Sequence, residues 1–226
     1  MVVIMRFENT QVYGFQAAFR GMRNPLESWD KSDSKVKILL GKKQNEERFE
    51  IGDADFDLAQ RLITGGTEHS KFMRQIMVWV DITAPLYFWS EFDTYKVGTT
   101  ANSTSTMHKL GYKEFDEDMF EKSCYEAAPS DYIQIRINEL NAIRTNWLKA
   151  KESGDKESAE KIFRLMKAEL PTSFLQTRTF SASYAVLRNM YFQRRNHRLP
   201  EWSKEFVKWI NSLPYSKELI TYQTKE

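Results

Sequence analysis

The run QIMVWVDITAPLYFW, Gln75 to Trp89, constrains this chain more than any other stretch. Ile76, Val78 and Val80 alternate with Met77 and Trp79, so both faces carry apolar side chains, and a strand at least partly covered on both sides is predicted over Gln75–Asp81. Pro85 then stands at the first position of a predicted helix, with Thr83 as candidate cap and Leu86, Phe88, Trp89 and Phe92 packing inward. Directly after this core-like segment comes DTYKVGTTANSTSTMHK, Asp93 to Lys109, with seven serines and threonines in seventeen residues. A flexible linker has that polarity, but linkers rarely carry Tyr95, Val97, Met107 and a cation near each end. A loop that holds a phosphate or a nucleotide has the same composition.

The chain of 226 residues fits one large domain or two small ones. At 41% apolar and 14% aromatic residues it belongs with globular rather than disordered chains. No apolar run reaches the roughly 18 residues of a membrane span, and MVVIMRFENT is too short and wrongly flanked for a signal peptide. Cys124 is the only cysteine, which rules out an internal disulfide and makes a cytoplasmic setting the expectation. With three histidines beside it the inventory is too poor for a typical zinc site, so no metal is predicted. A net charge of +2 does not describe a dedicated nucleic-acid binder.

Along the chain, Val2–Ala18 reads as one or two strands and RGMRNPLESWDKSDSK as a loop. DADFDLAQRLITGG reads as a helix stopped by Gly65-Gly66. The second half reads as helical: a short helix over Asp116–Ala127, a long one over Asp131–Ala150 with Ile133, Ile137, Leu140, Ile143 and Trp147 at helical spacing, then Glu157–Glu169, about Ser181–Arg195, and Glu201–Leu213. The last dozen residues read as a frayed tail. No linker divides the chain, so residues 1–226 are expected to form a single domain.

The helix from Ser181 carries the clearest chemical pattern. Tyr184, Arg188, Tyr191 and Arg195 fall on one face, offering stacking rings, hydroxyls and planar guanidinium forks suited to phosphate or a pyrimidine carbonyl edge. An ordinary interface, or arginines lying over tyrosine rings, accounts for the same spacing equally well. Lys167, Arg178, Arg194 and Arg198 make the region cationic, but its aromatics are too few for a single-strand nucleic-acid track. His69 reads as a hydrogen-bonding plug at a corner, and Cys124 as a buried small hydrophobe.

Three spaced segments resemble the flavin-dependent thymidylate synthases: LAQRLITGGTEHSKFMRQIMVWVDITAPLYFW, KAELPTSFLQTRTF and SASYAVLRNMYFQRRNHRLPEW. The resemblance covers about Leu58–Trp202, with a weaker echo in AAFRGMRNPLESW. It implies an α/β (α+β) fold, with a small mixed or antiparallel sheet flanked by long helices. It also implies a homotetramer with sites shared between subunits, and Trp147, Tyr191 and Trp209 are expected to be buried between them. Each site would hold FAD and a pyrimidine deoxynucleotide such as deoxyuridine monophosphate (dUMP), with methylenetetrahydrofolate and NADPH as co-substrates. His69 matches the family's corner histidine near the flavin, Lys167 a residue at the nucleotide phosphate, and Arg195, seven residues before Trp202, the arginine at the pyrimidine ring.

The ribbon falls where the family has its signature RHRxxSxxxxSxR. Counted without a gap from Pro85, Thr94, Tyr95 and Lys96 replace Arg-His-Arg, Thr99 and Thr104 replace the serines, and Thr106 replaces the last arginine. Thr94, Tyr95, Lys96 and His69 are therefore the expected flavin contacts. Thr99, Asn102, Thr104, Lys167, Arg188 and Arg195 are the expected nucleotide contacts, with Arg195 as the catalytic residue. Loss of two arginines lowers phosphate affinity by roughly one to three orders of magnitude unless other cations compensate, so weak FAD binding is expected. A transferase with an altered nucleotide and a non-catalytic tetrameric scaffold are the rival readings.

Overall fold

The computed structural model describes residues 5–39 and 46–223. Its elements run β1 (Arg6–Tyr13), α1 (Phe15–Met22), β2 (Lys35–Leu39), β3 (Glu46–Glu50), α2 (Asp53–Thr64), β4 (Met77–Pro85), α3 (Leu86–Phe92), β5 (Thr99–Ser103), α4 (Tyr132–Glu152), α5 (Lys156–Ala168), β6 (Leu175–Ser183), α6 (Tyr184–Arg194) and α7 (Val207–Ser212). A four-stranded sheet has the order β1-β4-β6-β5, and β2 and β3 form a separate antiparallel pair. Thr83 meets Thr177 at 2.7 Å and Asp81 meets Thr179 at 2.6 Å, so indices fall on β4 as they rise on β6, the mark of an antiparallel pair. The α/β class with a small antiparallel sheet and flanking helices is the class observed.

The strand expected over Gln75–Asp81 runs on through Pro85, which is the cap of α3 rather than its first residue. The reason lies in the orphan amides of the helix start. Leu86 and Tyr87 donate to the carbonyls of Phe174 and Thr172, each at 3.0 Å, so the chain entering α3 stays extended beside the segment before β6. The expected alternation holds: Val78 and Val80 are buried, Met77 is half-buried and Trp79 is exposed.

Packing divides the chain into two compact units. Among the described residues, one comprises those up to Glu8, Asp81–Tyr95 and Ala101–Thr179; the other comprises those of Asn9–Val80, Lys96–Thr100 and from Phe180 onward. The first unit has a core of Leu110, Phe115, Phe120, Ile137, Leu140, Trp147, Met166 and Leu170. Trp147, expected at a subunit interface, is buried here by its own chain. The short helix expected over Asp116–Ala127 is two 3-10 turns, Glu117–Met119 and Lys122–Tyr125. The carboxylates of Asp116 and Glu121 accept from the amides two residues on, an arrangement that competes with α-helical bonding.

The second unit is organised around a buried ion pair. Asp55 is fully buried and accepts from Arg23 Nε at 2.6 Å and from the hydroxyls of Ser32 and Ser34. Asp33, between those serines, accepts from the amides of Ala54 and Asp55 and so caps α2 from a distance in sequence. The stretch read as a loop is thus a clamp, preceded by α1 where a strand had been expected to reach Ala18. Residues 2–4 of that expected strand lie outside the described residues. Trp209, expected between subunits, is likewise buried by its own chain, its indole donating to Thr10 Oγ1 at 3.2 Å.

β6 corrects the reading of the second half as wholly helical. Its sequence LQTRTFSAS buries Gln176, Phe180, Ala182 and Ser183, a pattern carried by small and polar residues rather than by β-branched apolar ones. α6 therefore begins at Tyr184, with the Ser183 hydroxyl accepting from the Val186 amide. Residues Glu201–Phe206 form a π-helical turn that continues into α7, and it leaves Trp202 and Phe206 fully buried. The chain beyond α7 is not frayed over its described part: Leu213, Ser216, Leu219 and Ile220 are all buried. Residues 224–226 of the expected tail lie outside the described residues.

Candidate functional site

The hydroxyl-rich ribbon is a structured edge. Asp93 leaves α3 paired with Arg178, whose Nη1 donates to Asp93 Oδ1 at 2.6 Å and whose Nε donates to Gln176 Oε1 at 3.1 Å. The guanidinium lies 4.2 Å over the Trp89 ring, and that indole donates to the carbonyls of Ala84 and Gln176. Arg178, with its side chain only 15% exposed, thereby fixes the root of the ribbon. In the sequence it stands out only as one of the local cations. Its period-2 position relative to Gln176 on a strand was the signal, hidden because β6 was not foreseen.

Thr94 spends its hydroxyl proton on the Glu91 carbonyl at 2.7 Å, closing the end of α3, and Tyr95 is half-buried against the Phe92 ring. Lys96 is exposed, and Val97 beside it is 88% exposed, so the ribbon turns outward here before Gly98 at φ +73°. Thr99 and Asn102 lie in β5, the first half-buried and the second exposed. Thr104 is held by its backbone, donating to the Thr177 carbonyl at 2.9 Å and accepting from the Gln176 amide side chain at 2.8 Å.

Lys167, near the end of α5, donates to Thr106 Oγ1 at 2.8 Å. The threonine at the place of the signature's last arginine therefore carries a cation supplied by another element. This contact joins a ribbon position to the lysine expected at the nucleotide phosphate.

On α6 the predicted face is real, and it meets the C-terminal segment. The Tyr184 hydroxyl donates to the Pro214 carbonyl at 2.6 Å, and burial pushes this phenol up from its ordinary pKa. Arg188 Nη1 lies 2.7–3.3 Å from the carbonyls of Leu219, Ile220 and Tyr222, and burial lowers the pKa of its guanidinium. Arg195 Nη1 donates to Gln223 Oε1 at 3.1 Å, with its guanidinium 4.9 Å from the Phe192 ring. Three members of the Tyr–Arg face, Tyr184, Arg188 and Arg195, thus clasp the chain's own C-terminal segment.

His69 is exposed at the end of α2, its ring lying against Gly65, where an added Cβ would come within 3.2 Å of His69 Cδ2. Cys124, expected to be buried, is exposed, with its Sγ 3.5 Å from the Tyr87 hydroxyl. Among the described residues no group of three or more His, Cys, Asp or Glu is placed to hold a metal, and no helix is long and apolar enough to cross a membrane.

No protein-family model matches the chain, and no curated protein sequence matches it. Solved structures do. A crystal structure of thymidylate synthase X (ThyX) from Helicobacter pylori with FAD and dUMP has a TM-score of 0.61 at 15% identity, over 95% of this chain and 94% of that one. A second structure of the flavin-dependent thymidylate synthase ThyX from the same organism, complexed with FAD and dUMP, gives 0.61 and 15% over 96% of each chain. At that identity the likeness establishes a shared fold, the mixed α/β fold of these synthases.

Proposed function

We propose that the chain is a flavin-dependent thymidylate synthase-like protein, one domain over its whole length. In this reading it binds a pyrimidine deoxynucleotide and, with FAD, modifies carbon 5 of the uracil ring. The observation that carries this reading is a fold shared over about nineteen-twentieths of both chains with proteins whose structures hold FAD and dUMP. The Lys167–Thr106 contact supports it, because it returns a cation to a ribbon position from which an arginine has gone.

When bound, FAD would supply the redox chemistry that moves a one-carbon group from methylenetetrahydrofolate to the ring, with NADPH as the reductant. The residues of this chain would bind and orient. Lys167 would meet the nucleotide phosphate, and the hydroxyls of Thr99 and Thr104 and the Asn102 amide would each offer the nucleotide a neutral hydrogen bond. Arg195 would hold a uracil carbonyl and the charge that develops on the ring, once its Nη1 exchanges Gln223 for ligand. Toward the flavin, the exposed Lys96 supplies one positive charge; Thr94 has committed its proton and offers only an acceptor; Tyr95 and His69 offer ring surfaces. Such a set fits a flavin held weakly. Arg188, bonded to main-chain carbonyls, would support the substrate face from behind. A cytoplasmic homotetramer completes the proposal.

The clasp on α6 favours one rival, a non-catalytic homologue in which the Tyr–Arg face serves only to bind the C-terminal segment. Purified protein separates the two. Yellow colour, or flavin absorbance regained on adding FAD, together with conversion of dUMP to its 5-methyl product in the presence of methylenetetrahydrofolate and NADPH, is the expected result. A colourless protein that ignores added FAD and leaves dUMP unchanged would sink the enzyme reading.

A further inference from the structure

Beyond the end of the ribbon, the first unit contains an open pocket of about 390 Å³ lined by Trp147, Phe163, Tyr112, Lys151, Lys156 and His108, among others. Its aromatic wall is continuous. The Trp147 ring meets Tyr112 edge-on with centroids 5.5 Å apart and meets Phe163 at 6.0 Å. Lys151 Nζ lies 4.6 Å from the Trp147 ring and 4.8 Å from the Tyr112 ring, and donates to the Tyr112 hydroxyl at 3.1 Å.

The backbone holds this wall in place. Gly111, at φ +82°, lies so close to Trp147 and Met166 that an added Cβ would meet Met166 Cε at 2.8 Å, and Arg144 Nε donates to the Gly111 carbonyl at 2.8 Å. Tyr112 is thereby brought down onto Trp147. On the other side the Ser105 hydroxyl accepts from the amides of Met107 and His108, which turns the ribbon at the pocket.

The charges here are not internally balanced. Among the described residues no carboxylate lies within ion-pair distance of Lys151 or Lys156, and Glu160 is the only acid on the lining. Two lysines against one carboxylate, beside an aromatic wall whose Tyr112 ring is exposed, match a flat ring with an acidic substituent: the ring stacks, and the lysines meet the anion. The volume lies toward the lower end of the range for ligand pockets, about 300–1,000 Å³, which suits one or two fused rings.

We infer that this pocket is a binding site for a small planar aromatic molecule bearing an anionic group, a carboxylate or a phosphate. It draws on neither Lys167 nor Arg195 and stands whether or not the proposed synthase activity does.

Calorimetry on the full chain tests it with two matched pairs: indole-3-acetate against indole-3-acetamide, and AMP against adenosine. At least one acid should bind about tenfold more tightly than its neutral partner, and which acid binds tells carboxylate from phosphate. The double variant Lys151→Met, Lys156→Met should lose that preference, while Lys151→Arg, which keeps charge and stacking, retains it; circular dichroism confirms that each variant is folded. Binding of neither acid, equal binding of acid and neutral partner, or a preference untouched in the folded double variant would overturn the site.

Discussion

Lys167 and Thr106 are separated by 61 positions in sequence, and the ammonium of the first donates to the hydroxyl of the second at 2.8 Å. The ribbon alone looks stripped of positive charge, yet at this position α5 restores it. Lys167→Met should weaken dUMP binding about tenfold to a hundredfold, the value of one hydrogen bond to a charged group, while thermal unfolding stays close to the parent's. Unchanged affinity by calorimetry would move the phosphate elsewhere.

At the ribbon's other end, Thr94 and Lys96 are both exposed, so larger side chains there meet solvent rather than core. The double variant Thr94→Arg, Lys96→Arg is therefore expected to fold normally and to retain more flavin through purification, read from visible absorbance. Constant occupancy would show that Thr94–Lys96 is not the flavin segment.

Arg188 in α6 and Arg195 at its C-terminal cap should separate by phenotype. Arg188→Met removes the donor from three main-chain carbonyls in a half-buried setting and should cost about 1–3 kcal/mol in urea unfolding. Arg195→Lys keeps its charge at a half-buried position and should change stability little, within about 0.5 kcal/mol, while impairing dUMP binding or turnover. If the lysine variant matches the parent in both, Arg195 is a structural residue and the substrate assignment falls.

Gly52 and Asp33 should behave as one unit. A Cβ at Gly52 would lie 2.2 Å from Asp33 Cγ, so Gly52→Ala must push out the carboxylate that caps α2. Gly52→Ala and Asp33→Ala should each cost about 1 kcal/mol or more, and the double variant distinctly less than their sum. The α2 amides, that of Ala54 foremost, hold the Asp33 carboxyl below its ordinary pKa. Its contribution is therefore full above the unfolded-state value and fades as pH falls through the lower folded one, so the deficit of Asp33→Ala should shrink in acid. Strict additivity at neutral pH would refute the coupling.

How far the sequence spoke for itself depended on which residues formed each pattern. Periodicity in large apolar side chains marked β4, α2, α4 and α5 to within a few residues. β6 escaped because Gln176, Ala182 and Ser183 are buried for their size and hydrogen bonds, features that a hydropathy pattern does not register. The Tyr184–Arg188–Arg195 face was correctly placed on one side of a helix. Its partner could not be seen, because the carbonyls that Arg188 meets belong to Leu219, Ile220 and Tyr222, a short apolar patch set between the polar runs YSKE and QTKE that resemble a loose end. For the same reason Arg178 was counted as a charge, when what matters is its fork bridging Asp93 and Gln176 above Trp89.

The strand order β1-β4-β6-β5 has a kinetic consequence. None of the neighbouring strands in the four-stranded sheet is joined by a hairpin: Thr83 finds Thr177 across 94 positions, and Gln176 finds Thr104 across 72. The cost of closing such long loops falls before any ladder bond can repay it, so the rate-limiting step of refolding should be sheet assembly. The α4–α5 hairpin, whose contacts are local, should acquire helical ellipticity in an early phase, with the burial of Trp89 following more slowly in stopped-flow fluorescence. Coincident phases would mean that the sheet and the hairpin form in a single step.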